Sequence, residues 1–150
     1  MIRTILVPTD GSDHADKAVA FAGSVASKYG ATIILLHVLS DPGSGRMPSE
    51  LRELARIEHI WTTERDIIQA GANELLNNAE SQAREHGATK IQQAIEEGDP
   101  TRNILASAEA HGADLIVMGS RGLGDLQGLL LGSVSHKVGH LAKCTCITVR

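Results

Sequence analysis

Aromatic residues are almost missing from this chain of 150 residues, which has one Trp, one Tyr and one Phe. Its core must therefore be built from Val, Ile, Leu and Ala, and the scarcity argues against the aromatic platforms that stack single-stranded bases. Cysteine is also scarce. Cys144 and Cys146 are the only two; they make no disulfide framework and fit a reducing compartment. No basic run is present and the net charge is −4 with His neutral, which argues against a nucleic-acid partner. No stretch reaches the roughly 18 consecutive apolar residues that suggest a membrane-spanning helix. The apolar run near the N-terminus is short and stops at Pro8, unlike a secretory leader. These absences leave a cytoplasmic protein as the expectation, with neither membrane nor nucleic acid among its partners.

What is present is ordinary for one globular domain spanning residues 1–150, with 42% apolar and 21% charged residues. Ile2 to Val7 is a β-branched run closed by Pro8-Thr9-Asp10-Gly11, the pattern of a buried strand and a turn. A helix follows, capped by Ser12 or Asp13, with Ala15, Ala18, Val19, Ala22, Val25 and Ala26 at helical spacing and Gly30 as its stop. Thr32 to Leu39 is apolar with few polar alternates, as in a strand covered on both faces. Asp41 to Gly45 reads as a loop. A helix is expected from about Ser49 to His86, its stripe running through Leu54, Ile57, Trp61, Ile68, Leu75, Ala79 and Ala83, with a bend at Gly71. Lys90 to Ile95 is a weaker strand, and Glu96-Glu97-Gly98 a turn. Asp99 and Pro100 start a helix ending at Gly112. Asp114 to Met118 is a fourth buried strand, Ser133 to Lys143 a last helix and Cys144 to Val149 a last strand. Alternating strands and helices predict an α/β fold of three layers, with an open, mostly parallel five-stranded sheet and helices on both faces.

Five glycines, at 119, 122, 124, 128 and 132, sit between the fourth strand and the last helix. Glycine lets backbone N–H groups approach an anion because no Cβ intervenes. A helix start adds unpaired N–H groups and a positive dipole end. The segment suits a polyphosphate or sulfate, although glycines in a surface loop can also serve turns alone. Two familiar phosphate motifs are missing. There is no Gly-x-x-x-x-Gly-Lys-Ser/Thr, and Gly122-x-Gly124-x-x-x-Gly128 has neither the spacing nor the position of the dinucleotide fingerprint.

The spacing Gly119-x2-Gly122-x9-Gly132-Ser133 resembles that of universal stress proteins of the ATP-binding kind. Ile5 to Ser12 looks like the family's opening strand and loop, Ala113 to Gly122 like its fourth strand and first glycines, and Gly132 to Ser135 like its phosphate-binding helix start. The resemblance implies sheet order 3-2-1-4-5 in an adenine nucleotide alpha hydrolase-like fold, with a nucleotide in the crevice where the strand order reverses. It implies that Pro8, Thr9 and Val38 frame the adenine. Asp10 works at the adenine–ribose end, and Met118 and Gly119 line base and ribose. Gly122, Gly132, Ser133, Val134 and Ser135 hold the phosphates, with Arg121 as a candidate cation and Mg2+ arriving on the ATP phosphates. It also implies a homodimer through the C-terminal strand. Lys143-Cys144-Thr145-Cys146 departs from the proline-rich run many members carry there, which bears on dimer geometry.

Each singled-out residue also has a plain role. Asp10 can cap a turn, His37 can be a satisfied core histidine, and Cys144 and Cys146 read as buried, inert thiols on one strand face. Leu129 to Leu131 read as core. His136 and His140 lack the pattern of a zinc enzyme. Functionally, the reading is a nucleotide-dependent stress-response and signalling module with at most slow hydrolysis or autophosphorylation, Ser133 or Ser135 being the candidate acceptors. The alternatives are an ATP-consuming enzyme of adenylyl-transfer type and a nucleotide-free interaction protein. The loop after the first strand matches neither His-x-x-His nor Ser-Gly-Gly-x-Asp-Ser, which counts against the enzyme.

Overall fold

A computed structural model of the chain describes residues 1–40, 64–123 and 131–150. The elements run β1 (Thr4–Pro8), α1 (Asp13–Tyr29), β2 (Thr32–Leu39), α2 (Glu64–Glu85), β3 (Lys90–Glu97), α3 (Pro100–Ala110), β4 (Leu115–Gly119), α4 (Ser133–Leu141) and β5 (Thr145–Val149). The expected loop at Asp41–Gly45, the helix start with Leu54, Ile57 and Trp61, the glycines at 124 and 128, and Leu129 and Leu130 lie outside the described residues.

The strands form one parallel sheet in the order β3-β2-β1-β4-β5, as the resemblance implied. Alternate strand residues explain the two layers of helix. Ile5, Val7, Ile33, Leu35, Leu115 and Val117 pack with α1 and α2, whereas Leu6, Ile34, Leu36, Ile116 and Met118 pack with α3 and α4. With both faces covered, no polar alternation survives in the central strands, which is why they read as continuous apolar runs.

Local signals set the helix ends. The Ser12 hydroxyl accepts the Ala15 amide at 3.3 Å, and Gly30 closes α1 in the left-handed region at φ 66°. Asp99 caps α3 through the Arg102 amide at 2.8 Å, with Pro100 in the first turn.

Three expectations are corrected. Helix α2 continues through Gly71: its buried stripe is Ala72, Leu76, Ala79 and Ala83, and that packing outweighs the ~1 kcal/mol a helical glycine costs. Leu75 is only partly buried, one position off the seam. The strand expected to end at Ile95 continues to Glu97, because Glu96 and Glu97 pair with Val38 and Leu39 of β2. Its polar face is exposed, as suits an edge strand. Finally, α4 stops at Leu141, two residues early.

Candidate functional site

The sheet reverses direction of growth between β1 and β4, which pair through Ile5–Leu115 and Leu6–Ile116. The two loops beyond their carboxyl ends are therefore neighbours, at the crevice where open α/β sheets take ligands. The β1 loop is held from several sides. The buried Thr9 donates its amide to the Leu36 carbonyl at 2.9 Å, and His37 Nδ1 donates to the Thr9 carbonyl at 2.8 Å. His37 is thus a satisfied histidine that fixes the loop, with its proton on Nδ1. The Asp10 carboxylate accepts the Ser12 amide at 3.0 Å and, across the crevice, the Leu123 amide at 3.1 Å. A Cβ on Gly122 would lie 2.6 Å from Asp10 Oδ2. A side chain at 122 would therefore have to displace the Asp10 carboxylate from its present position.

The end of β4 is tighter still. A Cβ on Gly119 would fall 2.7 Å from the His14 carbonyl carbon and 2.8 Å from the Ala15 nitrogen, so glycine lets the strand end rest on the start of α1. Ser120 follows, fully buried. Its amide donates to the Val149 carbonyl at 2.7 Å, and its carbonyl accepts the Gly132 amide at 2.6 Å and the Ser135 hydroxyl at 3.0 Å. Its own hydroxyl lies 2.9 Å from His14 Nδ1. Gly119 and Ser120 therefore belong to the packed interior.

Helix α4 starts at this node. Gly132 is its N-cap, offers no side-chain cap, and no acidic residue stands in the first turn. The first N–H groups of a helix have no intrahelical acceptor, and the positive dipole end here meets no acidic residue in its own first turn. Ser133 is exposed, Val134 half-buried against the second core layer, and Ser135 buried. The Ser135 hydroxyl also lies 3.0 Å from the Gly132 carbonyl, so its proton serves the turn. Arg121 Nε is buried and has no hydrogen-bond partner among the described residues.

Of the remaining expected residues, Pro8 ends β1, Val38 lies near the end of β2, and Met118 is buried in the second core layer. The fold thus brings the Asp10 loop, the end of β4 and the start of α4 together. Sequence reading missed His14 and the central place of Ser120. Their pairing spans 106 positions and leaves no local signal.

A separate cavity of about 450 Å3 lies between the β1 loop and α2, with Thr9, Gly11 and Asp16 facing Glu74, Asn78 and Gln82. No described residue of β4 or α4 lines it. Burial, then the neighbouring Asp13 and Asp10 carboxylates, push the Asp16 carboxyl above its ordinary range. Cys144 and Cys146 are free, half-buried and share the second core layer. Burial raises both thiols, which makes them poor nucleophiles. No helix among the described residues is long and apolar enough to cross a membrane.

Comparison with known proteins places this arrangement. The profile of the universal stress protein family matches residues 1–150. Universal stress protein YxiE of Bacillus subtilis is 35% identical over 155 residues, covering all of both chains. Among solved structures, UspA of Lactobacillus plantarum superposes with a TM-score of 0.79 at 27% identity, covering 99% of this chain and 98% of that one. A universal stress protein in complex with cAMP gives a TM-score of 0.71 at 29% identity, covering 99% and 97%.

Proposed function

The chain belongs to the universal stress protein family, and from that premise we propose that it is an ATP-binding stress-response module whose residues 1–150 form one domain. The observation that carries the reading is the start of α4, whose glycine N-cap brings no capping side chain and whose first turn has no acidic residue, held beside a β1 loop whose Asp10 is tied to the glycine segment. An anion suits that helix start. The relative solved with cAMP supports an adenine nucleotide as the class of ligand.

In this reading Pro8, Thr9 and Val38 frame the adenine through their backbone, and Asp10 stands at the adenine–ribose end. Met118 and Gly119 back the base and ribose. The amides of Ser133, Val134 and Ser135 take the phosphates, with Gly122 leaving room and Gly132 supporting the turn. Arg121 supplies a cation, and Mg2+ would arrive on the phosphates. The protein binds and signals rather than turning substrate over; Ser133, exposed at the helix start, is the better placed acceptor for any slow autophosphorylation. The terminal strand β5, an edge of the sheet, joins a second copy in a homodimer.

Calorimetry with ATP, AMP and cAMP tests the site. Saturable binding of ATP in the micromolar range is expected, with native mass spectrometry of freshly purified protein showing an adenine nucleotide. No heat from any of the three at millimolar concentration would leave the family fold without the function proposed for it.

A further inference from the structure

Ser120 joins four elements. Its amide reaches Val149 at the end of β5, its carbonyl holds Gly132 and Ser135 at the start of α4, and its hydroxyl reaches His14 in the first turn of α1. It stands directly after β4, where Gly119 lets the strand end approach the α1 backbone. The Ser120 hydroxyl is fully buried, and His14 Nδ1 is its one partner among the described residues. A buried hydroxyl proton needs an acceptor. With Ser120 as the donor, Nδ1 accepts and the imidazole proton sits on Nε2; the other tautomer would reverse the bond.

We propose that Ser120 and His14 are a pair of positioning residues. They lock the turn after β4 onto α1 and so fix the start of α4 relative to the end of β5. The ligand side of this proposal rests on the nucleotide-binding reading; the lock itself does not. Its consequence is coupling. A phosphate drawn onto the first turn of α4 pulls on Gly132, and Ser120 passes that pull to Val149 through its own amide. Coupling of this kind acts equally in both directions, so whatever holds the β5 edge also favours the closed α4 start.

Three variants of the full chain test it: His14→Leu, His14→Asn and Ser120→Ala. Leucine fills space but accepts no hydrogen bond, so the Ser120 proton is orphaned. Asparagine presents a carbonyl oxygen about where Nδ1 lies. Amide exchange at residues 120 and 132, read by NMR without nucleotide, should quicken about tenfold in His14→Leu and stay near wild type in His14→Asn. ATP affinity should follow the same order, and 15N shifts of His14 should report an unprotonated Nδ1 that changes in Ser120→Ala. Identical behaviour of the Leu and Asn variants overturns the polar lock, as does wild-type exchange in His14→Leu. The His14 pair decides this even where Ser120→Ala does not fold. Should wild type bind neither ATP nor cAMP while the exchange pattern holds, the nucleotide reading falls and the lock stands.

Discussion

Asp10 and Leu123 are 113 positions apart, yet the Asp10 carboxylate accepts the Leu123 amide at 3.1 Å and closes the crevice between the β1 and β4 loops. The same carboxylate oxygen stands where a side chain on Gly122 would have to go. Asp10→Ala should therefore release the glycine segment and weaken ATP binding about tenfold, while costing at most ~1 kcal/mol of stability. Gly122→Ala should displace the carboxylate and lose affinity by a similar factor. Because both act on one contact, the double variant should bind about as well as either single one. Titration calorimetry on the three variants gives the coupling, and strictly additive losses would separate Gly122 from Asp10.

Two glycines should respond to alanine in opposite directions. Gly119→Ala drives a methyl group into the backbone of His14 and Ala15 and should cost about 1–3 kcal/mol. Gly139 lies in the interior of α4, with nothing within 4 Å of its Cβ position. Gly139→Ala should gain about 0.4–1 kcal/mol, since the unfolded chain loses freedom it need not give up on folding. Urea melts measure both, and a neutral Gly119→Ala would remove the close approach on which the Ser120 lock depends.

The contrast between these glycines marks how far the sequence could be read. Strand identity, helix caps at Ser12 and Asp99, and the parallel class were legible because each rests on neighbouring residues: continuous apolar runs, a capping side chain, a proline in the first turn. Sheet order was legible only through the resemblance. The glycine segment was recognisable as a whole, but the separate jobs of its members were not. Gly119 serves the α1 backbone and Gly122 serves Asp10, and both partners lie over 100 positions away. Ala72 and Leu76 escaped for a related reason. The expected stripe met the seam at Ala79 and Ala83 but passed through Leu75 in place of Leu76, and since a helix turns about 100° per residue that one step turns a side chain off the buried face.

Asp114 ties the two central strands together at their amino ends, accepting the amides of Arg3 at 2.8 Å and Thr4 at 3.1 Å. Those hydrogen bonds, from Arg3 first and then Thr4, hold its carboxyl below the usual carboxylate value of 3.8. A lowered folded-state pKa means stability that is present above the unfolded value and lost as pH falls through the folded one. Between neutral pH and about pH 4 the contribution should be constant, and below that it should fade. Asp114→Ala should therefore lower the melting temperature at pH 7, with the gap to wild type narrowing under acid. A gap that stays constant down to pH 2 would take the carboxylate out of the account.

The β5 edge offers the last test. Ile147 and Val149 lean into the α1 layer of the core, half-buried, so pairing between copies would use the free backbone edge of β5 rather than those side chains. Thr145, unlike a proline, keeps an amide that can join such a ladder. Light scattering should give twice the chain mass of 15.9 kDa. Adjacent amides of a strand point to opposite edges, so Cys146→Pro and Ile147→Pro sample different sides of β5. One removes a bond to β4 and should lower the melting temperature. The other removes a donor from the free edge and should yield a folded monomer. A dimer that survives both substitutions must use another face, and a wild-type monomer at micromolar concentration, with or without ATP, would leave the β5 edge unpaired in solution.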